Sequence, residues 1–267
     1  MNAYPDRIHQ NQKINRRRTS FTGVANIDIV LKGSTIRTSL GSLGACGVYL
    51  ISSNNYKILF DTGHNGRRVL LTRSLESLGV QPNKLDFVVL SHLHWDHALN
   101  IPLFDNSKIV IDRSELTLGN PSDYARVGFL TDCITKMDVA YIDDGYKIDE
   151  DITVLKTPGR TAGHIALSVK NDDGLNILSG DSLPNARAYT RGLPDLIFHS
   201  SELAAQSISK IKRPSPKIIY PGHDAPFTPS EQPKHIFNKE ITLTYRTEAE
   251  EDYEITLRRQ KSKPNYI

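Results

Sequence analysis

The sequence predicts a single-domain α/β protein in which strands outnumber helices. Three observations lead there. Short apolar, β-branched runs bounded by Gly, Ser, Asn and Pro recur along most of the chain. Only two stretches carry a clear helical period. The 267 residues, 38% hydrophobic and 24% charged, can build one large core and do not resemble a disordered or low-complexity chain.

Residues 1–22 are polar and aperiodic and contain Arg16, Arg17 and Arg18, which reads as a flexible basic arm ahead of a domain over residues 23–267. Strand signals follow at 24–31, 47–52 and 56–61, separated by turn-forming clusters. Over residues 66–78, Val69, Leu70, Leu75 and Leu78 fall near helical spacing, and Gly79 followed by Pro82 ends the helix. The apolar run 85–90 is short enough for a buried strand and feeds directly into a histidine-rich segment. Further strands are expected at 108–112, 139–142, 152–157, 165–169, 175–179 and 217–220, with a helix over 201–212. Beyond residue 228, alternation at 241–245 and 253–257 suggests a final hairpin in a short C-terminal extension, although the acidic residues between them also suit a helix.

Composition excludes several classes. No apolar run reaches the ~20 residues of a membrane helix, and the polar N-terminus lacks a secretory signal, so a soluble, cytoplasmic protein is expected. Thirty-three basic against 30 acidic residues leave a charge of +3, too small for a dedicated nucleic-acid binder. Cys46 and Cys133 cannot form a disulfide framework and are expected reduced and buried.

The chemistry concentrates in Ser91-His92-Leu93-His94-Trp95-Asp96-His97. Imidazole and carboxylate are ligands that zinc, iron, manganese and cobalt all accept, and a short loop converges them without long-range coincidence. Alternation puts His92 and His94 on one side of an extended chain, while the turn into the next helix carries Asp96 and His97 to an adjacent point. That spacing suggests two metal positions. His164, Asp181 and His223 each sit at a strand–loop junction beside a glycine, so five of the nine histidines occupy such junctions.

This pattern resembles the metallo-β-lactamase superfamily, whose signature is HxHxDH followed by a distal His, an Asp and a last His. Leu59-Phe60-Asp61-Thr62-Gly63 resembles that family's strand-end Asp-Thr-Gly. The resemblance implies an αβ/βα four-layer sandwich of two mixed sheets with outer helices and two divalent ions, zinc first among the candidates. It implies that His92, His94 and His164 hold the first ion, that Asp96, His97 and His223 hold the second, and that Asp181 bridges them. Asp61 would orient a ligand imidazole through its other ring nitrogen. By the same resemblance a bridging hydroxide attacks a lactone, ester or thioester, with Asp96 the residue expected to take the proton.

The order His92 to Ala98, the segment 103–110 and Thr157-Pro158-Gly159 are most similar to the lactonase-like branch, which includes N-acyl-homoserine lactonases. Three positions depart from it. Arg160 stands where the turn commonly has His, Leu99 where Gly is common, and Pro184 where homoserine lactonases carry a substrate-polarising Tyr. Trp95, Tyr189, Arg187 and Arg191 are candidates for the substrate pocket, weighed against packing for the aromatics and solvated charge for the arginines. The competing readings are a glyoxalase II-like thioesterase, a tRNA-processing type RNA phosphodiesterase and a mononuclear iron persulfide dioxygenase. The expected partner is a small molecule, with no membrane, no nucleic acid, and a homodimer allowed by the hairpin edge.

Overall fold

The computed structural model describes residues 25–39, 41–117, 122–237, 240–246 and 252–258. The basic arm expected over residues 1–22 lies outside the described residues. Among those described, no helix is long and apolar enough to cross a membrane. Both cysteines are free; Cys46 is buried as expected, whereas Cys133, near the end of a surface helix, is only partly so.

The first half of the chain forms strands β1 (Asn26–Leu31), β2 (Arg37–Thr38), β3 (Gly41–Ser42), β4 (Val48–Ser52), β5 (Lys57–Phe60), β6 (Phe87–Val89), β7 (Lys108–Ile111) and β8 (Val139–Tyr141), with helices α1 (Arg68–Ser77), α2 (Trp95–Ala98) and α3 (Gly128–Ile134). The second half adds β9 (Lys147–Asp149), β10 (Ile152–Lys156), β11 (Ile165–Asn171), β12 (Gly174–Gly180), β13 (Ile218–Pro221), β14 (Phe227–Thr228) and β15 (Lys234–His235), with α4 (Ala186–Arg191) and α5 (Ser201–Lys212). A last hairpin pairs β16 (Glu240–Arg246) with β17 (Asp252–Arg258).

Two mixed sheets result. The first runs β1-β4-β5-β6-β7-β8 and the second β15-β14-β13-β12-β11-β10-β9. Pairing is parallel from β5 to β8 and between β12 and β13, and antiparallel elsewhere in these sheets.

Strand alternation explains the layers. In β4, Tyr49 and Ile51 point between the sheets, where they meet Ile152, Val154, Ile165, Leu167, Leu178 and Tyr220. Val48 and Leu50 point outward, onto Leu71 and Leu75 of α1 and Leu130 and Ile134 of α3. On the other side Ala166, Ile177 and Ile219 face outward onto Ile208 and Ile211 of α5. Helix, sheet, sheet, helix is therefore the four-layer αβ/βα sandwich, with three apolar seams.

The two long helices end as their sequences dictate. Gly79, at φ 77°, accepts the left-handed conformation that stops α1. The Ser200 side chain accepts the Leu203 N–H at the start of α5, and Lys210 and Lys212 lie in its last turn. The short elements α3, α4, β9, β14 and β15 were not expected from sequence; each is seven residues or fewer and is held by neighbours rather than by its own period.

Candidate metal centre

The strand ends of both sheets meet at one edge of the sandwich. Asp61 follows β5, His92 and His94 lie on the loop after β6, α2 carries Asp96 and His97, His164 precedes β11, Asp181 follows β12, and His223 follows β13. Leu93 is buried in the outer core, so alternation turns His92 and His94 to the opposite side.

Close backbone approach makes the geometry possible. A Cβ on Gly180, at φ 49°, would meet Ser91 Cβ at 2.8 Å and His164 Nε2 at 2.9 Å, and one on Gly222 would overlap Asp181 Oδ1.

Besides Cys46, Asp61 and His97, two donor groups form among the described residues: Asp96, His97 and His223 make one, and His92, His94 and Asp181 the other. Asp181 touches both: its Oδ1 lies 3.2 Å from His223 Nε2 and 3.4 Å from His97 Nε2, and its Oδ2 lies 3.8 Å from His92 Nε2. His223 Nε2 is 3.3 Å from Asp96 Oδ2. Although His164 is close by, its Nε2 accepts the backbone N–H groups of Asp181 and Ser182 at 3.0 and 3.1 Å.

Hydrogen-bond partners assign the imidazole tautomers. Asp61 accepts the Ser91 N–H on Oδ1, and on Oδ2 the Ser91 hydroxyl at 2.9 Å and His97 Nδ1–H at 2.8 Å. His223 Nδ1–H donates to the Ser34 carbonyl at 3.3 Å. Both rings therefore turn Nε2 toward the buried Asp181 Oδ1. Protons on these two nitrogens balance the carboxylate, and once they leave, two lone pairs and carboxylate oxygens converge in a buried space, so Asp96, His97, His223 and Asp181 fit a divalent metal.

The charge balance agrees. Burial works against charge on His97, yet the carboxylates of Asp181, Asp61 and Asp96 outweigh it and hold its pKa well above the ordinary value. His223 is raised in the same way, against burial, by Asp181 and Asp96. Burial drives His92 well down, and takes His164 down to about 3. Burial also opposes the Asp181 carboxylate, but His223, His97 and Arg160 hold its pKa well below the usual range. The site thus retains protons on His97 and His223 that a divalent cation can displace.

A cavity of about 510 Å³ opens over this edge, lined by Trp95, Asp96, Tyr124, Arg160, Asp181, Pro184, Phe198 and His223 among others. Tyr189, Arg187 and Arg191 are not among its lining residues. Tyr189 packs edge-on against Phe227 beneath Lys212, Arg187 is exposed on α4, and Arg191 pairs with Asp195 at 2.7 Å. α4 turns Tyr189 toward the seam that α5 covers, which carries it away from the opening.

Sequence reasoning missed three contributors. Asp123 accepts His94 Nε2–H at 3.0 Å, Phe198 stacks edge-on against His94, and Glu115 ties the Leu93 N–H to Thr161 and Gly163. Asp123 and Phe198 lie in loops without periodic signal. Glu115 is a buried acid in a single turn that composition does not mark.

Comparison with known proteins places this architecture. The sequence pattern of the Metallo-beta-lactamase superfamily matches residues 41–223. An N-acyl homoserine lactonase of Bacillus cereus is 32% identical over 155 residues, 56% of this chain and 60% of that protein. The chain thus spans 60% of the length of the curated relatives it matches first. Among solved structures, a mutant of the Bacillus thuringiensis protein AiiA with N-decanoyl-L-homoserine bound superposes with a TM-score of 0.59 at 24% identity, covering 76% of this chain and 93% of that one. The dizinc quorum-quenching lactonase AidC, in complex with a product, gives 0.56 at 14% identity, covering 71% and 86%.

Proposed function

Because the chain belongs to the metallo-β-lactamase superfamily, we propose that it is a metal-dependent hydrolase that opens a lactone or cleaves a related small-molecule ester. Asp96, His97, His223 and Asp181 would hold a divalent ion, zinc being a usual choice for such donors. The carrying observation is the convergence of the buried Asp181 Oδ1 with His97 Nε2 and His223 Nε2, at 3.4 and 3.2 Å. His92 and His94 form the adjacent donor group around Asp181 Oδ2.

The bound ion supplies Lewis acidity, which brings the ionisation of water toward neutral pH and polarises a carbonyl. The chain does the rest. Asp61 fixes the His97 ring by accepting its Nδ1–H. Asp96, on the cavity wall, takes the proton of the attacking water on its carboxylate and returns it to the leaving alkoxide. The water oxygen bonds to the carbonyl carbon, the ring C–O bond breaks, and a hydroxy acid leaves. Trp95, Tyr124 and Phe198 give the cavity an aromatic wall suited to an apolar acyl group.

The choice of lactone draws on the homoserine lactonases among the relatives. Pro184 lines the cavity where those enzymes were expected to present a tyrosine, which speaks against acyl-homoserine lactone as the particular substrate. A panel of γ- and δ-lactones, aryl esters and acyl thioesters tests the reading on zinc-loaded protein. Expected is carbonyl-ester turnover that chelation abolishes and that falls at least ~100-fold in His97→Ala. Oxygen consumption by iron-loaded protein without any hydrolysis, or cleavage of RNA alone, would refute it.

A further inference from the structure

The donor group around His92 and His94 fits a metal less well than its neighbour. An imidazole nitrogen offers one lone pair. That of His164 Nε2 is shared between the Asp181 and Ser182 N–H groups, and that of His94 Nδ1 accepts Arg160 Nε–H at 3.3 Å. Asp181 Oδ2, the remaining oxygen on this side, lies 3.1 Å from Arg160 Nη2.

We infer that the Arg160 guanidinium takes the place of a first metal ion, so that the centre pairs one divalent cation with one fixed organic cation. The inference rests on the reading above that Asp96, His97, His223 and Asp181 hold an ion.

Arg160 is built into this position. It is 8% exposed, its Nη1 donates to the Leu196 carbonyl at 3.0 Å, and its Cζ lies 4.9 Å from the centre of the Phe198 ring. Its own carbonyl accepts the Phe198 N–H at 3.0 Å, so the 196–198 loop grips it at both ends. A guanidinium does not lose its proton in a protein, and its planar fork reaches a carboxylate and an imidazole together. His92 Nε2 lies 2.9 Å from the same His94 Nδ1. A further divalent ion would find two of its three expected imidazole lone pairs taken and a permanent positive charge against the carboxylate it must share.

Two consequences follow. Asp181 joins a metal through Oδ1 to an arginine through Oδ2. His164 is a brace that holds the backbone at Asp181 and Ser182, not a ligand. Arg160 also lines the cavity.

The test counts metal. Full-length protein is stripped with chelator, reloaded with excess zinc and desalted, and zinc per chain is measured by mass spectrometry. About one zinc is expected in the wild type and in His164→Gln, about two in Arg160→His, and none in His223→Ala. Two zincs in the wild type, one of them lost in His164→Gln, would overturn the inference and leave the hydrolase reading standing. One zinc in both wild type and Arg160→His overturns it equally, since Arg160 then excludes nothing. No zinc in any form removes both. If Arg160→His does not fold, cobalt titration of the wild type decides: visible absorption saturating at one equivalent supports the inference, and at two contradicts it.

Discussion

Asp61 occupies a left-handed backbone conformation, φ 59°, that costs most side chains energy and that Asp tolerates. That turn aims both its oxygens at Ser91 and His97, so its role is to orient and to carry charge. Asp61→Asn keeps the shape and removes the charge. Zinc affinity is expected to fall about 10–100-fold, measured by competition with a chromogenic chelator; unchanged affinity would show that His97 needs no anionic partner. His164 makes a different prediction. Its folded pKa of about 3 lies below the ordinary 6.5, so the unfolded chain takes up a proton that the folded chain refuses. The stability it contributes is complete above pH 6.5 and is lost as pH falls toward 3, reaching about 3 kcal/mol by pH 4. In metal-free protein, the slope of unfolding free energy against pH between 6 and 4 should be shallower in His164→Gln. An unchanged slope would place the missing proton elsewhere.

Between elements, the site depends on loops that lie far apart in sequence. Glu115 is buried, burial raises its pKa, and its carboxyl accepts from Leu93 N–H, Thr161 Oγ and Gly163 N–H. It thereby joins the histidine loop to the turn that carries Arg160. Glu115→Ala leaves three buried donors unmatched and is expected to cost about 3 kcal/mol in urea denaturation, with weaker zinc retention; a loss under about 1 kcal/mol would mean water replaces it. The long elements were legible because their patterns are local: α1 ends at Gly79, α5 is capped by Ser200, and the runs at 48–52 and 108–111 are continuous apolar strands. α4 was not legible, since six residues carry too little period and its Asn185 cap resembles any loop asparagine. Candidate ligands could be read because they crowd one loop and recur at strand ends. Arg160 was visible only as a departure at one position. Its contact with His94, 66 residues away, arises from the pairing of β10 with β11 and from the 196–198 loop, neither of which leaves a mark beside it in sequence.

At the scale of the whole molecule, two sheets deliver their strand ends to one edge, and the charges gathered there must be balanced. Asp61, Asp96 and Asp181 converge on His97 and His223, so an ion that binds the folded chain alone stabilises the entire sandwich. Each tenfold excess of zinc over its dissociation constant should add about 1.4 kcal/mol, seen as a Tm that climbs with zinc concentration and drops on chelation. A Tm indifferent to both would mean the fold closes without an ion. The most direct measurement is anomalous diffraction at the zinc edge from crystals of the reloaded protein. One strong peak is expected in coordination distance of Asp96, His97, His223 and Asp181 Oδ1, with guanidinium density beside Asp181 Oδ2. A peak held by His92, His94 and His164, alone or at equal occupancy with the other, would contradict it.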